Sequence, residues 1–128
     1  MKYVPTVALL LAGLIHLLPV PGVSGVNALS RLYGIEVTDA NTAILLQHRA
    51  LLFGMLGVLM LTAIAVPHLR LTALTVGLAS AASFILVAMW VGGYNDSINR
   101  VVIADVVAST LLAAGLLAEL WLTGQAKR

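Results

Sequence analysis

The apolar positions of the chain fall into four long runs, each followed by a short polar or Pro/Gly-rich joint. A helix needs about 20 mainly apolar residues to cross the hydrocarbon core of a bilayer. A Pro/Gly segment ends the first run, Pro67 ends the second, and the segment "GGYND" separates the third from the fourth. The pattern predicts transmembrane spans over about residues 4–20, 42–66, 71–91 and 101–122.

The longest joint contains the segment "VNALSRLYGI". Its apolar residues Val26, Leu29, Leu32 and Tyr33 repeat at the spacing of one helix face, and polar residues fill the positions between them. This pattern predicts a short helix that lies in the outer interface of the membrane, between the first and second spans.

The first run also fits a second interpretation. Lys2, the apolar residues that follow it and the small residues Val23, Ser24 and Gly25 have the order of a cleavable signal peptide. A first run that stays in the protein leaves four spans, with both ends of the chain on one side of the membrane.

Small residues recur along the spans, as helix packing inside a membrane requires. Ala73, Gly77 and Ala81 repeat every four residues in the third span, and Gly54 and Gly57 lie in the second. The spacing predicts an all-α, antiparallel four-helix membrane bundle that forms one domain over residues 1–128. The stripe of Ala73, Gly77 and Ala81 has an alternative role, contact with a second copy or with a larger membrane complex.

Composition agrees with the four runs. Hydrophobic residues make up 61% of the chain and charged residues 9%, whereas soluble domains carry about a quarter charged residues. The net charge of +2 includes no basic block that could follow a phosphate backbone, which excludes nucleic acid as the partner. The chain has no cysteine, which excludes disulfides, thiolate metal sites and thiol catalysis.

Basic residues give the orientation, because cytoplasmic loops carry an excess of Lys and Arg. Lys2, Arg70 and the pair 127–128 lie on one predicted side, whereas Arg31 and Arg100 lie in the loops of the other. The bias predicts a multi-pass protein with both termini in the cytoplasm.

Ionisable residues inside the spans are costly in lipid, and they usually face a partner or a cavity. Arg49, beside His48 in "LLQHRALLFG", and Asp105 both enter from the outer side, at about 10 Å and about 6 Å along their helices. The pattern predicts a ligand pocket in the outer leaflet. Its predicted residues are His16, His48, Arg49, Trp90, Tyr94, Asn95 and Asp105. Arg49 either pairs with Asp105 or extends to the outer interface, and the sequence leaves both open.

Candidate chemistry is sparse. No His, Asp and Glu cluster has the spacing of a metal site, and no P-loop, GxSxG or HExxH motif is present. We therefore predict no resident cofactor. One alternative is haem b, held by His16 and His48 on facing helices, because two imidazoles are common axial ligands in helix bundles.

Several short motifs resemble a known kind of protein. A first helix that ends in Pro and Gly is followed by "RLYGI", "HRALLFG" and "VGGYN" in that order, over nearly the whole chain. In this order the chain resembles small four-helix bacterial membrane proteins of the DoxX-like and DUF4345-like kind. The resemblance implies a four-helix fold in the bacterial inner membrane and no defined reaction. Similar chains also carry the name phosphopantetheine adenylyltransferase, but this chain lacks the His-containing glycine motif that would position ATP phosphates.

Three functions follow from these features. The first is a membrane binding or accessory protein that holds a lipid-like or quinone-like hydrophobic molecule in the outer-leaflet pocket. The alternative is a haem- or quinone-dependent redox protein that uses His16 and His48. The second alternative is a structural or assembly subunit that contacts its neighbour through the stripe of small residues.

Overall fold

The computed structural model describes residues 1–126 and contains five α-helices, with no strand in that part of the chain. The positively charged pair 127–128, used above for orientation, lies outside the described residues. Two short 3-10 helices, Val20–Ser24 and Pro67–Leu69, follow the first and third helices. The helices are α1 (Val4–Leu17), α2 (Val26–Tyr33), α3 (Ala40–Ala65), α4 (Arg70–Val91) and α5 (Asp96–Ala126).

Helix boundaries are set by capping residues that hydropathy does not reveal. Asp39 accepts a hydrogen bond from the Thr42 amide at 2.9 Å, so α3 begins two residues before the predicted span. Asn95 caps α5 in the same way through the Ile98 amide at 2.9 Å. The predicted fourth span, 101–122, is therefore the central part of a longer helix.

Four helical segments are long and apolar enough to cross a membrane, which makes the chain a multi-pass membrane protein. The first combines α1 with its 3-10 turn, and the third combines the 3-10 turn at Pro67 with α4. The segments are Val4–Ser24, Ala40–Ala65, Pro67–Val91 and Asp96–Ala126. The short helix predicted between the first two spans is confirmed as α2.

The helices meet at small residues. Helix α1 contacts α3 and α5, and α4 contacts α5 and α3. At the contact of α1 with α3, a Cβ atom built at Gly57 would lie 2.9 Å from the carbonyl oxygen of Gly13. The two backbones touch there, because glycine allows an approach that a side chain would prevent.

The predicted stripe of Ala73, Gly77 and Ala81 belongs to this interior. All three residues are buried within the chain, and Gly77 faces Met60 of α3 and Leu112 of α5. The stripe is therefore used inside the chain, and contact with a second copy or a larger complex stays a prediction.

A second apolar cluster fixes α2 over one end of the molecule. Leu29, Tyr33 and Val37 are buried there, and Ile98 and Val101 of α5 pack against them. Helix α2 thereby contacts both α3 and α5. This position of α2 covers a cavity between the long helices.

Candidate functional site

A cavity of about 310 Å³ lies between α1, α2, α3 and α5. Its volume is at the lower end of the range for small-molecule sites, about 300–1,000 Å³. Apolar side chains form most of the wall, and a few polar groups converge on it. The polar groups belong to His16, Arg31, Tyr33, Arg49, Ser97, Arg100 and Asp105.

His16 of α1 lines the cavity and carries a buried hydrogen-bond acceptor. Its side chain is 1% exposed, and Nδ1 lies 2.9 Å from the carbonyl oxygen of Ala12. A carbonyl can only accept, so Nδ1 carries the hydrogen and donates it. In the neutral ring, Nε2 is then an acceptor, and it is buried with no hydrogen-bond partner.

Asp105 of α5 and Tyr33 of α2 add two further buried polar atoms without partners. Asp105 is 4% exposed and its Oδ2 makes no hydrogen bond. The Tyr33 hydroxyl is also buried without a hydrogen-bond partner. A buried polar group without a partner costs about 1–3 kcal/mol. Three such atoms around one cavity indicate a place for polar groups that belong to another molecule or to water.

Arg49 lies deeper in the cavity wall, among aromatic rings. Its guanidinium carbon is 4.8 Å from the ring centroids of both Phe53 and Phe84, and 5.4 Å from that of Tyr33. No hydrogen bond joins the guanidinium to Oδ2 of Asp105. The positive charge is therefore stabilised by ring faces, an arrangement that neither interpretation of the sequence included.

Arg49 and Asp105 lie further along their helices than the sequence predicted. Arg49 and Asp105 each lie nine residues after the first residue of their helix, about 13 Å along its axis. The sequence placed them at about 10 Å and about 6 Å, because their helices begin earlier than the apolar runs. Both residues nevertheless line the one cavity, as the predicted pocket requires.

Two further guanidinium groups stand at the exposed side of the cavity. Arg31 lies in the last turn of α2, and Arg100 lies in the second turn of α5, where its guanidinium donates to the Ser97 hydroxyl at 3.3 Å. With Arg49 and Asp105, the lining holds three positive groups and one carboxyl group. The cavity therefore favours an anionic group, most strongly near Arg31 and Arg100.

The structure does not bring His48 into the site. Successive residues of an α-helix point about 100° apart, so the neighbour of Arg49 turns away from the cavity and is exposed. The two histidines that the haem alternative required therefore do not face one space. Within residues 1–126, no group of three or more His, Cys, Asp and Glu side chains is placed to hold a metal ion.

Trp90 and Tyr94 also lie outside the cavity lining. Trp90 is 91% exposed and Tyr94 39% exposed, so neither forms the wall or rim predicted for it. Both residues follow Ala88, the last buried residue of α4. Helix α4 contributes only Phe84 to the site, as one of the rings around the Arg49 guanidinium. Asn95 does not line the cavity, but its hydrogen bonds hold together α2 and α5, which do.

Asn95 joins the two elements that frame the exposed side of the cavity. Its Nδ2 donates to the carbonyl oxygens of Tyr33 at 2.9 Å and of Gly34 at 3.1 Å, while its Oδ1 caps α5. Gly34 adopts a left-handed conformation, with φ of 62°, which ends α2 at this point. The Tyr33 ring is thereby held over Arg49.

Two participating residues could have been found by helical spacing. Phe53 lies four residues after Arg49 and therefore shares its helix face. Val101 precedes Asp105 by four residues and shares its face of α5 in the same way. Phe84 has no such signal, because only the packing of α4 against α3 brings it to Arg49.

Comparison with known proteins adds no relative: no protein-family model, no curated protein and no solved structure matches this chain.

Proposed function

We propose that this protein binds a lipid-like or quinone-like molecule in the cavity between α1, α2, α3 and α5. One observation carries the proposal. Three residues that line the apolar cavity each carry a buried polar atom that has no partner: Nε2 of His16, Oδ2 of Asp105 and the hydroxyl of Tyr33.

A molecule with an apolar body and a polar head would satisfy both features of this cavity. Its body would cover the aliphatic wall formed by Ile15, Leu18 and Val101. Its head would bond the buried polar atoms, which otherwise stay unpaired at a cost of about 1–3 kcal/mol each. A soluble polar molecule would leave the apolar wall without a counterpart.

The proposal places the chain in the bacterial inner membrane as an antiparallel four-helix bundle. Helices α4 and α5 contact each other along their length and are joined by only four residues, 92–95, which supports opposite directions. Lys2 and Arg70 mark the cytoplasmic side, so both termini lie there and α2 lies in the outer interface. The proposed fold is that of the DoxX-like proteins which the sequence resembles.

A cavity-filling substitution tests the binding function. Ala104 lines the cavity, and Ala104→Phe would occupy part of its volume without removing a polar group. The matched control is Val106→Phe on the same helix, because Val106 is 47% exposed on another face. Each variant is purified in mild detergent, and co-purified molecules are extracted and identified by mass spectrometry.

We expect wild type and Val106→Phe to retain the same molecule in near-stoichiometric amount, and Ala104→Phe to lose most of it. Arg49→Ala, which opens the ring cluster below the cavity, should weaken retention as well. Equal amounts in wild type and Ala104→Phe would contradict the proposal, provided that both variants keep the helical content of the wild type.

A further inference from the structure

The polar groups of the cavity lie in two layers that differ in chemistry. Arg31 and Arg100 form an exposed layer, whereas His16 and Asp105 form a buried one. Along α5, Arg100 precedes Asp105 by five residues, a separation of about 7.5 Å. A head group only a few bonds long can contact both layers at once.

The buried layer requires a hydrogen-bond donor from its ligand. Nδ1 of His16 donates to the carbonyl oxygen of Ala12, which leaves Nε2 of the neutral ring as an acceptor, and Oδ2 of Asp105 is buried without a partner in the lining of the same cavity. A quinone carbonyl or a phosphate oxygen cannot donate to either atom. A hydroxyl can donate to Nε2, and another can donate to or accept from the Asp105 carboxyl group, so the part of the ligand that reaches this layer carries hydroxyl groups.

The exposed layer requires an anion. Guanidinium groups such as those of Arg31 and Arg100 bind phosphate with a planar set of donors, and the cavity lining holds no acidic side chain besides Asp105. Asp105, the single carboxyl group of the lining, belongs to the buried layer. The ligand therefore combines a negative charge at the exposed side with hydroxyls below it.

We propose that the cavity takes the head group of an anionic, hydroxyl-bearing phospholipid of the phosphatidylglycerol class. Arg31 and Arg100 bind the phosphate, and the glycerol hydroxyls form hydrogen bonds with Nε2 of His16 and with the Asp105 carboxyl group. This inference rests on the binding function proposed above and names its ligand class. Free glycerol phosphate carries the same head chemistry, and the experiment separates the two sources.

The first test uses the wild-type full chain and needs no variant. Purified protein in neutral detergent is titrated with phosphatidylglycerol, phosphatidylethanol, phosphatidylcholine or glycerol phosphate, and bound species are counted by native mass spectrometry. Phosphatidylethanol has the same diester charge but no head-group hydroxyl, and phosphatidylcholine has no net charge. We expect phosphatidylglycerol to bind about tenfold more tightly than either, the effect of one or two buried hydrogen bonds.

Matched variants assign each half of the recognition to its layer. His16→Phe should remove the preference for phosphatidylglycerol over phosphatidylethanol, and His48→Phe, an exposed histidine of α3, should keep it. The pair Arg31→Gln and Arg100→Gln should remove the preference over phosphatidylcholine. Lys2→Gln is the control for lost charge, because Lys2 is exposed and does not line the cavity.

Equal affinity for phosphatidylglycerol and phosphatidylethanol in the wild type would overturn the inference. The binding function would still stand if another molecule co-purified and Ala104→Phe displaced it, and it would fail as well if Ala104→Phe displaced nothing. Glycerol phosphate that binds as tightly as phosphatidylglycerol would support the head chemistry and identify a free phosphate ester as the source.

Discussion

At the residue scale, the least expected feature is a guanidinium group that is stabilised by rings. Arg49 lies within 5.4 Å of three ring centroids, and the rings come from α2, α3 and α4. Cation–π contacts are worth about 0.5–1 kcal/mol at exposed sites and about 2 kcal/mol when desolvated. Arg49 therefore ties three helices together and also lines the cavity.

Replacement of Arg49 measures how much these ring contacts contribute to the stability of the protein. We expect Arg49→Met to lower the free energy of unfolding by about 1–2 kcal/mol, because the rings lose the charge that they surround. Arg31→Met is the control, since Arg31 is exposed and has no such ring contact; it should change stability by less than about 0.5 kcal/mol. Denaturant titration in mixed micelles gives both values. Equal losses in the two variants would show that the rings contribute nothing specific.

The ionisation of Asp39 makes the stability of the start of α3 depend on pH. Hydrogen bonds from the side chain and then the backbone amide of Thr42 lower the pKa of Asp39 below its usual value of 3.8. A lowered pKa in the folded state means that the carboxylate stabilises the fold fully above about pH 4. This stabilisation is lost as the pH falls through the lowered pKa.

The Asp39 prediction is tested by amide exchange. From about pH 5 to about pH 2 the Thr42 amide should lose protection in the wild type, because the protonated carboxyl is a weaker cap. Asp39→Asn keeps a capping oxygen that does not titrate, so its protection should stay level over the same range. Glu36→Gln, at an exposed acid outside the helices, should behave as the wild type does.

At the scale of elements, the position of α1 depends on glycine. Gly57 of α3 meets the backbone of Gly13 on one side of α1, and Gly115 of α5 meets Ala8 on another. Both contacts leave no room for a Cβ atom without movement of the helices. The register of α1 places His16, at its last turn, beside the cavity.

Gly57→Ala should therefore destabilise the protein although alanine is the better helix former. A Cβ atom at 2.9 Å from the Gly13 carbonyl oxygen forces α1 and α3 apart, and such overpacking costs about 1–3 kcal/mol. Gly124→Ala near the end of α5 is the control, since nothing lies within 4 Å of its Cβ position. It should leave stability unchanged or slightly higher. A neutral Gly57→Ala would show that the two backbones can separate freely.

At the scale of the whole molecule, the proposed orientation can be tested by labelling single introduced cysteines, because the chain contains no cysteine of its own. Single cysteines at the exposed positions Glu36 and Asn99 should react with a membrane-impermeant maleimide added to intact cells. Cysteines at Lys2 and His68 should react only after the cells are opened. Labelling of Lys2→Cys from outside would place the termini on the opposite side.

The number of spans and the helical class were determined by the sequence alone. Helix hydrogen bonds are local, and a bilayer demands a fixed apolar length, so hydropathy is enough to predict four spanning helices. The spacing in "VNALSRLYGI" likewise predicted α2, because three or four residues separate neighbours on one helix face. The presence of Arg49 and Asp105 in apolar runs already indicated a common site.

Only the tertiary structure decided what each site residue contacts. His48 and Arg49 are adjacent in sequence, yet the rotation of α3 sends one away from the cavity and the other into it. Trp90 lies outside because α4 contributes no lining residue, and Phe84 reaches Arg49 because α4 packs against α3. Such contacts join residues far apart in the chain, and they depend on helix rotation and register, which close glycine contacts set and a hydropathy pattern does not record.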